Sequence, residues 1–556
     1  MRALPIAIAC GWLLLAAPAS ARAAERPPHF WHTAAQAVAI ADHQSAVRSL
    51  AAHDPSLRGE AHVADLGLWL VTYRDARGVK ARVQVEDRTG DVLEPSPYAY
   101  PRTGGRLGSA RVSAELIALA LTVVLLGFFF DFRRPLRWRN ADLVALLSLG
   151  AAVALFDRGH PLVAVPLVYP PLVYLGARLA WLGFRRADRS GSPLGTWAGN
   201  RVLVVGLAAL VLGRIAANLL IGGVGDIGYA SVFGAASIHE GWPLYVADHA
   251  HLDTYGPITY LAYLPFELIW PLKNLVHGYL PAAHAAAITF DLLTILGLVI
   301  IGSRLRDRRL GLTLAFAWAA CPFTFLTLIA NTNDGLVPLF LVAALVAFGS
   351  PVRRGILIGL GAAAKFAPLA LAPLFARGRG RAPFAFALSM TAVIAIAVFA
   401  YAPHGDLGVV WSQTLGFQLH RHSFFSIWGQ YPQLHPLQVA LQIGVVGLAA
   451  AAYLGSARRS TAQVGALSGA ILIGLQLATV HWFFFYIVWF VPGVLLALFA
   501  LDSAVEALDR PHRQPGEQEA GRDDHAHADR ELVQYPALEH QGAQALDHVA
   551  DRVGAR

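Results

Sequence analysis

An aspartate stands just past the end of an apolar stretch in IGGVGDIGYASVF. This is Asp226, followed by Tyr229, by GWPLY from Gly241 to Tyr245, and by YGP from Tyr255 to Pro257. A carboxylate so placed can accept a proton from a hydroxyl group as a new bond forms. Cationic or donor side chains lie within or beside other apolar stretches: Arg214, Lys365, His481 and the run His420, Arg421, His422. Preorganised positive charge of this kind lowers the barrier for a phosphate leaving group, which gains negative charge in the transition state. Asn331, Asn333 and Asp334, in NTNDG between two apolar runs, have the groups to hydrogen-bond hydroxyls.

Each of these residues has a plainer alternative role. Asp226 can cap a helix, and NTNDG can be a polar turn. Arg214 can pair with Asp291 at comparable depth, because an intramembrane charge is costly and seeks a partner. Lys365 can snorkel to an interface, and His481 can belong to an interfacial aromatic belt. DHAHLD, from Asp248 to Asp253, alternates His and Asp as divalent-ion ligands do. No further ligand set completes it, so a metal is only weakly supported and no cofactor is expected. Glu240 is a reserve acid, and Asp523, Asp524, His525 and His527 fall in a polar tail.

The elements that must position these side chains are membrane spans. Of 556 residues 56% are hydrophobic and only 14% charged, against roughly a quarter charged in ordinary globular chains. The formal charge of +8 lies in short arginine clusters between apolar runs, which reads as loops at one membrane face and not as a nucleic-acid surface. Cys10 and Cys321 alone make no disulfide framework. Residues 1–24 read as a signal peptide or anchor, and residues 25–100 as a small extracytoplasmic α+β domain with a helical pattern from Thr33 to Ala52 and alternating strands after it.

Apolar runs over 112–130, 140–156, 161–182, 200–222, 281–302, 310–330, 334–350, 382–402, 436–455, 461–480 and 483–501 give about eleven crossings. The stretch from Gly355 to Phe375 carries Lys365 and Pro368 at its centre and arginines at both ends. It reads as a re-entrant hairpin, whose freed backbone must be covered by protein. With that choice, loops assigned to the cytoplasm hold nineteen basic residues and those outside hold three. The N-terminus and the Asp226 region are then outside and the tail, 502–556, is cytoplasmic and expected to be disordered. In the long outside loop, YGPITYLAYLPFELIWPL is expected to lie along the interface.

The run from about Val202 to Phe499 resembles the GT-C membrane glycosyltransferases, most closely glycosyltransferase family 87. The pieces that carry the resemblance are Asp226 after its span, GWPLY, YGP, NTNDG, GLGAAAKFAPLALAPL around Lys365, and HWFFFYIVWFVP from His481. VQVEDRTGDVL, in the exported domain, resembles the PepSY family of small exported domains.

The first resemblance implies an all-α polytopic membrane protein of GT-C type with its transferase domain at 200–501; the three helices at 112–182 and the exported domain in front lie outside the resemblance and read as an added module. It implies a polyprenyl-phosphate sugar donor, mannose favoured, a glycan or lipid acceptor, and membrane lipids as surroundings. Asp226 would be the catalytic base, and Arg214, Tyr229, Tyr255, Asn333, Asp334, Lys365, Arg421 and His481 would bind substrate. A lipid-linked donor also fits the outward orientation, since nucleotide sugars are not expected outside the cytoplasm.

The main rival is a transporter or flippase, which also places charges within spans. Transporters often carry paired broken helices, whereas only one interrupted segment is visible here. A sensor or assembly protein is the third class, and truncation of residues 25–100 would separate it from a transferase.

Overall fold

A computed structural model describes residues 32–65, 68–75, 78–87, 90, 92–96, 111–158, 160–185, 198–245, 254–272, 280–420, 423, 425–454 and 459–501. The expected signal peptide or anchor at 1–24, the DHAHLD stretch, Arg421, His422 and the tail lie outside these residues.

The α+β unit opens with α1 (Ala34–Asp42), whose start is a capping box. The Gln36 N–H donates to Thr33 Oγ1 and the Thr33 N–H to Gln36 Oε1. Helix α2 (Ser45–His53) follows after a break at His43 and Gln44, so the single helical pattern of the sequence folds as two helices. Strands β1 (Arg58–Asp65), β2 (Leu68–Asp75), β3 (Gly78–Glu86) and β4 (Val92–Ser96) form an antiparallel sheet in sequential order. Alternation puts Trp69, Val71 and Tyr73 on the same face as Ala81, Val83 and Val85, buried with Ala37 and Ala41 of α1. Strand β1 gave no signal in the sequence because its inward position is the small Ala61, between Glu60 and His62.

The chain continues through α3 (Arg111–Phe129), α4 (Trp138–Asp157), α5 (Pro161–Phe184), α6 (Asn200–Ile221), the connecting helices α7 (Asp226–His239) and α8 (Pro257–Ile269), and α9 (Pro281–Leu305). Next come α10 (Arg308–Ala320), α11 (Pro322–Ile329), α12 (Leu336–Val346), α13 (Pro351–Ala364) and α14 (Ala382–Tyr401). Last are α15 (His435–Leu454), α16 (Thr461–Ala478) and α17 (Ile487–Leu496).

Among the described residues eight helices are long and apolar enough to cross a membrane, or nine if α10 and α11 are one span bent by 59°. The bend is chemical: Cys321 is extended and the following Pro322 brings no N–H to the helix ladder. Two other expected crossings, at α3 and α12, are apolar but shorter.

The stretch around Lys365 does turn back on itself. Helix α13 ends at Ala364, Lys365 is extended, and a 3-10 turn over Ala367–Leu371 and a short helix over Ala372–Phe375 lead back. Arg354, near the start of α13, donates from Nη2 to the carbonyl of Arg377 at 2.9 Å, which puts both ends of the segment at one level. The hairpin carries Lys365 near its tip.

Helices α16 and α17 form the centre of the bundle: 83% of the apolar window of α16 and 78% of that over Phe484–Leu501 is buried in protein, against 11% for α14 and 17% for α6. The low values mark the helices that face lipid. The three helices before α6 are not loosely attached. Asp142 of α4 takes hydrogen bonds from Tyr174 Oη at 2.8 Å and Arg178 Nε at 3.2 Å of α5, and Gly183 of α5 packs against Leu467 of α16.

Helices α13 and α14 approach closely at Gly355, where a Cβ would strike the Ser389 hydroxyl and the Phe386 carbonyl. Small residues are what let membrane helices pack at such range. Gly355→Leu should destabilise the protein by about 1–3 kcal/mol through overpacking, read as a lower melting temperature in detergent. An unchanged value would mean that this contact carries no packing constraint.

Candidate functional site

The site forms where the ends of α6, α12, α13 and α17 meet the connecting helices α7 and α8. Its frame is a polar staple. Asn218 of α6 donates from Nδ2 to the carbonyl of Leu328 at 2.7 Å and to Asn331 Oδ1 at 2.8 Å, while Asn331 Nδ2 donates to the Gly223 carbonyl at 2.9 Å. Asn331 has φ of 53°, a left-handed conformation that Asn tolerates better than most residues. The staple fixes the Gly-rich turn after α6 and therefore the start of α7, whose first residue is Asp226.

Asp226 is an exposed residue, and the Ile227 N–H donates to its Oδ1 at 2.9 Å. Although reachable, the carboxylate is ringed by protein that displaces bulk water. That desolvation pushes its pKa above the ordinary carboxylate range, and the charge of Asp334 adds to the rise. The backbone N–H groups of residues 226 and 227 and the charge of Lys365 work the other way. Position at the N-terminus of α7 likewise favours a negative charge.

Lys365 and Asp334 make a buried ion pair, Nζ to Oδ1 at 2.5 Å, with the residues 7% and 0% exposed. Trp489 Nε1 donates to the same Asp334 oxygen at 3.0 Å. The lysine ammonium also lies over three rings, 5.2 Å from the centre of Tyr255, 5.7 Å from Tyr486 and 5.5 Å from Trp489, within the range of cation–π attraction. Tyr486 and Trp489 are stacked on each other at 4.2 Å.

The YGP element explains how an extended lysine can sit at a helix end. The last carbonyls of a helix need outside donors. Ala364 receives two, from the Gly256 N–H at 3.1 Å and from the Thr259 hydroxyl at 2.8 Å. GWPLY joins the same frame, since the Tyr245 hydroxyl donates to the Tyr255 carbonyl at 2.9 Å. The Tyr255 phenol is pushed well above its ordinary value by burial first and by Asp226 and Asp334 next, so it stays a neutral hydroxyl.

A Cβ at position 256 would run into the Ala363 carbonyl, so only glycine lets the loop seat on α13. Gly256→Ala should therefore unseat the cap on α13 and displace Lys365. The expected outcome is a large loss of turnover in a protein that still enters the membrane; full turnover would show that the cap does not set the lysine.

The other sequence candidates fall at different distances from this centre. Arg214 is committed to Asp291, through Nη2 to Oδ1 at 2.7 Å and Nε to Oδ2 at 3.1 Å, with Nη1 on the Ala319 carbonyl at 3.1 Å. Trp318 Nε1 donates to Asp291 as well. Tyr229 is buried and stacks on Phe233. Asn333 is buried and donates to the Ser231 hydroxyl at 3.0 Å. Asp334, fully buried, touches Lys365 and Trp489 and is placed to orient that lysine. His481 lies 2.8 Å from the Ser423 hydroxyl through Nδ1, with its ring 6.3 Å from Tyr486, one residue removed from the lysine.

Tyr486 and Trp489 were not singled out in the sequence. Their spacing of three within an aromatic run, which places both on one helix face, was the available signal.

Compared with protein families, residues 254–480 match the model of glycosyltransferase family 87. The match covers 227 of the 556 residues and is a likeness of this segment to a family of glycosyltransferases. No curated protein matches the chain. The matched residues include YGP, the Asn331–Asp334 turn and the whole Lys365 hairpin, so the buried ion pair lies inside them. Arg214, Asp226, Tyr229 and His481 lie outside the matched stretch and stand on geometry alone.

Proposed function

We propose that the protein transfers a hexose, mannose favoured, from a polyprenyl-phosphate donor to a glycan or lipid acceptor at the extracytoplasmic face, with inversion at the anomeric carbon. The observation that carries this reading is an accessible carboxylate, Asp226, in electrostatic reach of a lysine caged by aromatic rings within a membrane bundle. The acceptor hydroxyl attacks the anomeric carbon while Asp226 takes its proton. The bond from that carbon to the phosphate oxygen breaks, and the electron pair leaves with the lipid phosphate.

Lys365 meets the charge that develops there. One of its three N–H groups is held by Asp334, and the others remain for phosphate oxygens. Tyr255, a neutral hydroxyl beside both carboxylates, is a hydrogen-bond donor to the same phosphate or to the sugar. The aromatic walls of Tyr486 and Trp489 give a sugar an apolar face to pack on. Arg421 remains a proposed donor contact on its charge and place in the sequence alone.

Because Asp226 must be ionised to act, and burial raises its pKa, activity should fall on acidification at a higher pH than an ordinary carboxylate would dictate. A pH profile of turnover tests this, and an acid limb at or below the usual carboxylate range would contradict it. The function itself is tested by supplying purified protein with polyprenyl-phosphate mannose and membrane-derived acceptors, then assaying sugar transfer and product configuration.

A further inference from the structure

At the base of the re-entrant hairpin, far along α13 from Lys365, three arginines converge from separate parts of the chain. Arg354 comes from the start of α13, Arg377 from the end of the returning arm, and Arg459 from the residue before the cap of α16. They are linked head to tail through the main chain. Arg354 Nη2 donates to the Arg377 carbonyl at 2.9 Å, Arg377 Nη1 to the Arg459 carbonyl at 2.8 Å, and Arg459 Nη1 to the Ala452 carbonyl at the end of α15.

Phe348 lies under two of them, with its ring centre 4.3 Å from the Arg377 guanidinium and 5.7 Å from that of Arg354. The third lies 4.8 Å over Phe184. No carboxylate pairs with Arg354 or Arg459 among the described residues, and Arg354 Nε is buried without a hydrogen-bond partner. Burial first, and the neighbouring Arg354 and Arg459 charges next, hold Arg377 down to about 10. Positive charges so gathered repel one another, and an anion would relieve that cost.

The neighbourhood says which kind of anion. Phe184, Val352, Tyr453 and Leu454 around the cluster are exposed apolar side chains at the ends of membrane helices, with Leu454 84% exposed. A free anion would gain nothing from them, whereas acyl chains would cover them.

We propose that Arg354, Arg377 and Arg459 form a binding site for the phosphate of an anionic phospholipid, seated at the base of the hairpin. Guanidinium groups suit the site because their fixed donors match phosphate oxygens. Basic pockets between membrane helices bind such headgroups. The bound lipid ties α13, the returning arm, α15 and α16 together, and so braces the segment whose other end carries Lys365.

The test is native mass spectrometry and thermal melting of the detergent-purified protein with phosphatidylglycerol, phosphatidylcholine or inorganic phosphate added. Phosphatidylglycerol should remain bound and raise the melting temperature of the wild-type protein, and the other two should not. In an Arg377→Gln/Arg459→Gln protein, retention should fall about tenfold or more, as expected when two charge-assisted contacts are lost. Equal retention of phosphatidylcholine by the wild-type protein, which needs no variant to fold, would overturn the proposal. So would full retention in the double variant, or an equal thermal shift from inorganic phosphate.

Discussion

Asp226→Asn should leave a folded, membrane-inserted protein whose sugar transfer is reduced by about 10²- to 10⁴-fold, the usual worth of a positioned general base. The amide keeps the size of the side chain and can still accept the Ile227 N–H bond, so α7 should start where it does now. What disappears is the group able to take a proton. The loss should appear in turnover and not in donor binding, because the carboxylate acts on the acceptor hydroxyl. Removing a negative charge near Asp334 should if anything strengthen donor phosphate binding, because Asp226 and a phosphate repel each other. An Asn variant that kept its turnover, or lost it only through weaker donor binding, would remove Asp226 from the role of base.

The second large effect is expected at the buried pair. Lys365→Met leaves Asp334 charged, fully buried and without its cation, a change that costs about 3–5 kcal/mol when a buried pair is broken from one side. The single variant should lose both stability and activity. Adding Asp334→Asn removes the stranded charge and should restore much of the stability, since Trp489 Nε1 can donate to an amide oxygen as well.

Activity should stay low in the double variant, by about 10²- to 10³-fold, because the cation for the leaving phosphate is still missing. Melting temperature and turnover, measured on both variants, separate the two roles of Lys365. If transfer returned together with stability, the lysine would be a structural ion-pair partner and nothing more.

The sequence disclosed the parts of this molecule whose signals are additive along the chain. Long apolar runs identified the spans, and arginines on both flanks of Gly355–Phe375 identified the hairpin, because a segment that leaves where it entered carries positive charge at both ends. The pairing of Arg214 with Asp291 was also foreseeable from their matching depth.

Signals that depend on contact between distant residues were not legible. Nothing in NTNDG distinguishes Asn331, which staples the end of α6, from Asp334, which holds Lys365 thirty-one positions away. Asn218 and its 2.8 Å contact with His284 Nδ1 look like ordinary apolar helix with stray polar residues until the fold brings them together. The bend between α10 and α11 was hidden for a different reason, since Cys321 and Pro322 do not interrupt hydrophobicity even though they interrupt the helix.

The choice of donor is the claim on which the rest depends, and a single competition assay addresses it. Purified protein would be offered a polyprenyl-phosphate hexose and the matching nucleotide sugar, differently labelled, together with acceptors extracted from membranes. The account predicts that label enters product from the lipid-linked donor alone, with inverted anomeric configuration. Label arriving from the nucleotide sugar instead would contradict it.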